Sequence, residues 1–191
     1  MNRQSATCFM LEDLRLARYH LRRYAGGSEC SGPMGYHNAM GEAIAEIAED
    51  PAKDYTGTRP PEVAPDDPRW PRACACGYEF VNDDARQVFA RGVYRRVDTG
   101  EIMTWEDAPG GAIREAAWWP DRGQDGHGWV VKLPSGEEWM SEGRAGNCQC
   151  PPDPAHRCWS RTGSAPRLTV NPSIATPRWH GWLRDGVLTS C

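Results

Sequence analysis

The chain has 191 residues, 39% of them apolar, with 22 basic and 26 acidic side chains, a net charge of −4 and a mean hydropathy of −0.69. That length suits one cored domain, or one with a small appendage. The lack of any run of 18 apolar residues excludes a membrane-spanning helix, and the charge excludes a global basic field able to hold a polyanion.

Residues 8–25 place Met10, Leu14, Ala17, Leu21 and Tyr24 at spacings of 4, 3, 4 and 3, which predicts an amphipathic helix stopped by Gly26 and Gly27. Arg15, Arg18, Arg22 and Arg23 run along its flank. A second helix is expected over 37–50, with Met40, Ile44 and Ile47 inward and Glu42, Glu46 and Glu49 outward. Two readings follow: a helical hairpin whose basic and acidic faces attract one another, or an arginine face that docks on a phosphate backbone or an acidic partner.

Residues 53–72 carry Pro60, Pro61, Pro65 and Pro68, which exclude both helix and central strand and predict a linker. Beyond it, turn signals such as Asp125-Gly126 and Asp185-Gly186 separate β-prone runs at 93–97, 102–105, 128–133, 138–140, 168–170, 179–183 and 187–189. One brief helix is expected at 83–90. The predicted fold class is therefore α+β. A helical hairpin (1–52) and a Pro-rich linker (53–72) precede a compact antiparallel β-rich domain (73–191), a sandwich or partly open barrel rich in Cys, His and Trp.

Within that domain, "RACACGYEF" (72–80) and "NCQCPPDPAHRCW" (147–159) place Cys or His at i and i+2 three times: Cys74 and Cys76, Cys148 and Cys150, His156 and Cys158. In a strand such neighbours share a face about 6.5–7 Å apart, at or beyond the limit for a disulfide. A turn at Gly77 could instead lean both thiolates towards one ion. A structural zinc needs four N or S donors. The six candidates leave two over, so one zinc site is expected, with Cys74 and Cys76 on one side and Cys158 with Cys148 or His156 on the other; Cys150 is an additional candidate. Buried reduced thiols and disulfides are the competing readings. Cys8, Cys30 and Cys191 are expected to be unligated.

"TPRWHGWLRDGVL" (176–188) sets His180 between Trp179 and Trp182, as general base, metal ligand or stacked core residue, and these three form a candidate functional surface. The acid pairs Asp83-Asp84 and Glu137-Glu138 could hold a divalent ion or be solvated turn residues, and His127 is expected to be exposed. The sequence carries no P-loop, dinucleotide fingerprint, nucleophile elbow or H-E-x-x-H motif, so no catalytic residue is assigned.

The segments "CACGYEF", "NC…HRCW" and "SI…WHGWLRDG" together resemble an uncharacterised protein family encoded by tailed bacteriophages and prophages. The resemblance covers residues 70–189 and rests on Cys74, Cys76, Cys148, His156, Cys158, Trp159, His180 and Gly181. The family carries a further cysteine just before the Ser-Ile pair, where this chain reads "LTVNPSI". That departure keeps Cys150 in contention as a ligand. The resemblance implies a phage origin and a location in the host cytoplasm or the virion; it implies no activity. Charge at Glu12 and Asp13 precedes any apolar leader and fits a cytoplasmic location. The expected function is a non-enzymatic, zinc-stabilised accessory module that binds a host or phage macromolecule, with no membrane partner. The alternatives are a virion head or tail subunit, direct nucleic-acid binding through the Arg15–Arg23 segment, and a metal-dependent enzyme centred near His180.

Overall fold

The computed structural model describes residues 4–27, 30, 35–48, 59–120, 122–123, 125–145, 148–151 and 156–191. Thirteen strands account for its regular structure: β1 (Ser5–Thr7), β2 (Phe9–Ala25), β3 (His37–Ala48), β4 (Ala85–Arg96), β5 (Ile102–Thr104), β6 (Ala112–Glu115), β7 (Trp129–Lys132), β8 (Glu138–Met140), β9 (Ser160–Thr162), β10 (Thr169–Asn171), β11 (Ile174–Ala175), β12 (His180–Arg184) and β13 (Val187–Ser190). Among the described residues there is no helix, so none is long and apolar enough to cross a membrane. The expected α+β class is thereby corrected to all-β.

The expected N-terminal helical hairpin is a pair of long antiparallel strands. In β2 the buried side chains alternate: Ala17, Tyr19, Leu21, Arg23 and Ala25 face inward, while the residues between them are partly or fully exposed. Ala17 and Leu21 satisfy both a helical and a strand period, which is why the sequence read as a helix. Two observations decide for the strand. Tyr19 is 2% exposed although it lies off the expected helical face, and Tyr24, on that face, is 38% exposed. Arg23 is an inward residue that a hydrophobic pattern hides; its guanidinium lies over the Phe80 ring, 5.1 Å from the centroid, and donates to the Val81 carbonyl. β3, rich in Ala and Glu, pairs along β2 from Ala25↔His37 to Leu16↔Ala48, with irregular register around His20. Cross-strand pairing overrides the helical propensity of its residues. The brief helix expected at 83–90 is likewise strand, the start of β4. Glu49 and Asp50 of the second expected helix, and 53–58 of the expected linker, lie outside the described residues.

The chain divides into two compact units. One comprises Met1–Asp13, Arg95–Met103 and Asp107–Cys191; the other comprises Leu14–Tyr94 and Thr104–Glu106. In the first, β1, β13, β12 and β11 form one antiparallel ladder, β9 pairs β10, and β6, β7 and β8 form a third ladder that the start of β2 joins in parallel through Phe9 and Met10. Their inner faces share a core that includes Trp129, Trp139, Trp159, Trp179, Leu168, Leu183 and Leu188. Trp139 and Trp159 meet edge to face at 5.3 Å. The β12–β13 hairpin turns at Asp185 and Gly186, both at positive φ, as an Asp-Gly turn requires. In the second unit, β2 is flanked by β3 and β4, and a tight loop at 72–80 packs Cys74 and Phe80 with Ala25 and Cys30.

Candidate metal centres

The loop at 72–80 closes on itself through a single β-bridge, Ala73↔Glu79. The Cys74 N–H donates to the Tyr78 carbonyl at 2.8 Å, and the Gly77 N–H donates to the Cys74 carbonyl at 2.9 Å. Gly77 takes φ +93, a conformation that a side chain would strain. Cys74 and Cys76 are thus on a turn, not in the extended pleat whose i, i+2 spacing the sequence suggested, and the turn brings both thiols to one side.

Their partners come from the same unit. Cys30 Sγ lies 3.9 Å from Cys74 Sγ and 3.9 Å from Cys76 Sγ, and His37 Nδ1 lies 3.2 Å from Cys76 Sγ. All four donor atoms fall within 4.8 Å of one another. A tetrahedral ion with bonds of about 2.3 Å to sulfur separates its sulfurs by about 3.8 Å, which these distances match. The imidazole is held face-on by Tyr78, with centroids 4.0 Å apart and planes 7° from parallel. Gly27 leaves room for it, since a Cβ there would sit 2.8 Å from Nε2. The N–H groups of Cys76 and Asn38 point at the Cys74 sulfur and lower its pKa to about 6 against the opposing effect of burial. The site therefore favours a thiolate before any ion arrives.

A second group forms in the other unit. Cys148, Cys150 and His156 bring their donor atoms within 4.8 Å of one another. His156 Nε2 lies 3.3 Å from Cys148 Sγ and 3.2 Å from Cys158 Sγ, so one imidazole nitrogen meets both thiols. Arg144 donates to Cys148 Sγ at 3.4 Å and to the Cys150 carbonyl. That guanidinium, followed by the N–H of Cys150, lowers the Cys148 thiol to about 6, while the neighbouring Cys148 pushes Cys150 upward. The four donors line a cavity of about 450 Å³ together with Trp159, Pro172 and Ser173.

The sequence-predicted ligands accordingly fall into two sets of three cysteines and one histidine. Cys74 and Cys76 join Cys30 and His37, instead of the expected Cys158 with Cys148 or His156. Cys150 joins Cys148, His156 and Cys158. Cys30, expected to be unligated, and His37, read as the first residue of a helix, are the two that sequence reasoning missed. The signal that could have found them is numerical: six donors fall two short of two tetrahedra, and Cys30 and His37 are a further Cys and His separated by a short Gly- and Pro-bearing stretch. Cys8 is buried in the first unit's core, and its thiol is pushed up to about 12 by burial.

The remaining candidates have structural roles. Strand alternation turns Trp179 into the core at 4% exposure, leaves Trp182 half-buried and exposes His180, whose Nε2 lies 3.1 Å from Ser173 Oγ. Gly181, between them, admits no side chain, because a Cβ would collide with the Thr189 carbonyl and come within 2.7 Å of the Trp179 ring. Asp84 accepts from the Val81 N–H at 2.8 Å and from the Tyr78 hydroxyl, while Glu137 accepts from Ser135, Thr176 and the Arg178 N–H. His127, exposed as expected, lies 3.0 Å from Glu115. The four arginines of β2 share no common face: Arg18 pairs Glu46 at 2.6 Å, Arg22 donates to Asn38 and Tyr36, and Arg23 points inward. No protein-family model, curated protein or solved structure matches the chain.

Proposed function

We propose that both Cys/His groups bind zinc, each as a closed structural centre, and that the chain is a non-enzymatic accessory module whose two zinc-clasped units present a binding surface to a macromolecular partner. The observation that carries this reading is the sorting of eight donors into two groups, one quartet whose donor atoms all lie within 4.8 Å of one another and one such trio with Cys158 Sγ 3.2 Å from its imidazole. Three sulfurs and one imidazole suit zinc, a d¹⁰ ion content with tetrahedral geometry. A catalytic zinc keeps a position open for water or substrate, and a centre with four protein donors leaves none. The enzyme reading centred near His180 is the weaker one for that reason. His180 is exposed beside Ser173, but no described carboxylate is hydrogen-bonded to it to orient the ring.

Partner binding is supported by large apolar side chains left in solvent in the first unit, Trp118 at 57% and Val97 at 62% exposure among them. Phage origin, and the choice between a host-cell and a virion location, rest on the sequence resemblance alone. Elemental analysis of the purified chain tests the zinc reading; the expected result is two zinc ions per chain, and fewer than two overturns it. Mass spectrometry of purified particles tests the location: stoichiometric copies make the chain a virion subunit, and their absence supports the accessory role.

A further inference from the structure

The two centres differ in how much solvent reaches them. Three donors of the first are nearly sealed, with Cys30 and Cys74 at 9% and His37 at 8% exposure. In the second, Cys150 is exposed, Cys148, His156 and Cys158 are half-buried, and all four open on the 450 Å³ cavity. A small oxidant can therefore touch every sulfur of one centre and only Cys76 of the other. Two of the second centre's sulfurs are also placed to join. Cys148 and Cys158 lie 3.3 and 3.2 Å from the same imidazole nitrogen, which holds both thiols at one place on the cavity wall.

Resting on the zinc reading above, we propose that the second centre is a peroxide-responsive zinc site: hydrogen peroxide oxidises Cys148 and Cys158 to a disulfide and frees that ion, while the first centre keeps its own. The Cys148 thiolate, beside the Arg144 guanidinium, attacks one peroxide oxygen; the O–O bond breaks, giving a sulfenic acid and hydroxide. The Cys158 thiolate then attacks the Cys148 sulfur, the S–S bond forms and a second hydroxide leaves. Two protons convert the hydroxides to water. Two electrons pass from sulfur to peroxide, and zinc departs as Zn²⁺ because half of its donors are gone.

The test uses the full-length, zinc-loaded chain, with released zinc followed by a colorimetric chelator during hydrogen peroxide treatment. Half of the bound zinc is expected to leave at least tenfold faster than the rest. Trypsin, which cleaves after Arg144 and Arg157, should then yield a disulfide-linked peptide pair in which fragmentation between Cys148 and Cys150 assigns the bridge to Cys148 and Cys158. In Cys158→Ser that linked pair should be lost while the first centre retains its ion. Release of both ions at one rate overturns the inference. So does oxidation of Cys30 or Cys74 first, or no release at a peroxide level that already oxidises the exposed Cys191. A chain that holds fewer than two ions before peroxide is added overturns the zinc reading itself; two ions without selective release overturns only the switch.

Discussion

Cys74 receives two backbone N–H groups, and its depressed thiol pKa ties the stability of the fold to pH. A pKa of about 6 in the folded chain against an ordinary value of 9.0 means that the contribution is fully present above pH 9 and is lost as pH falls through 6. Cys148 adds a contribution of the same sign over the same window. Metal-free protein is therefore expected to melt at a higher temperature at pH 9 than at pH 6, by calorimetry; a melting temperature that is flat or falls over that range contradicts the assignment. His37 is the other decisive residue, since its ring is fixed between Tyr78 and the space left at Gly27. His37→Ala should reduce bound zinc from two ions to one, read by elemental analysis, because the second centre draws on none of the same residues.

Strand β2 decides the fold of the N-terminal segment, and two substitutions separate the competing periods. Tyr19→Ala should cost about 3 kcal/mol or more, as for a large buried aromatic, whereas Tyr24→Ala should cost about 1 kcal/mol or less. A helix would reverse the order, and denaturant titration of the two variants measures it. The strands around β12 and β13 were legible because Asp185-Gly186 encodes its turn locally and the flanking residues alternate. β2 and β3 were not. Their pattern admits both periods, their residues favour helix, and pairing partners distant in sequence make the choice. The same distance hid Cys30 and His37, which reach Cys74 and Cys76 only after β2 and β3 have paired.

For the whole molecule, the zinc reading predicts that the second unit is the one destabilised more by loss of its ion. The small apolar cluster beside the first centre consists of Ala25, Cys30, Cys74 and Phe80, and two of those four residues are donors. Structural zinc in small domains supplies on the order of 10 kcal/mol of folding free energy, comparable to the whole stability of a typical domain. Chelation should therefore destabilise the second unit, seen as a fall in hydrogen-exchange protection in β3, more than the first, whose core holds four tryptophans. The β-rich, cysteine-rich character of the chain and the clustering of its 74–76 and 148–158 thiols were readable from composition and spacing. The division into two quartets was not, because it depends on which segments the sheets bring together.

X-ray absorption at the zinc edge of the purified, full-length chain tests the central claim most directly. Two ions per chain are predicted, each with an average shell of three sulfurs at about 2.3 Å and one nitrogen at about 2.0–2.1 Å. A single ion, or a shell dominated by oxygen, would contradict the pairing of Cys30, His37, Cys74 and Cys76 in one centre and of Cys148, Cys150, His156 and Cys158 in the other.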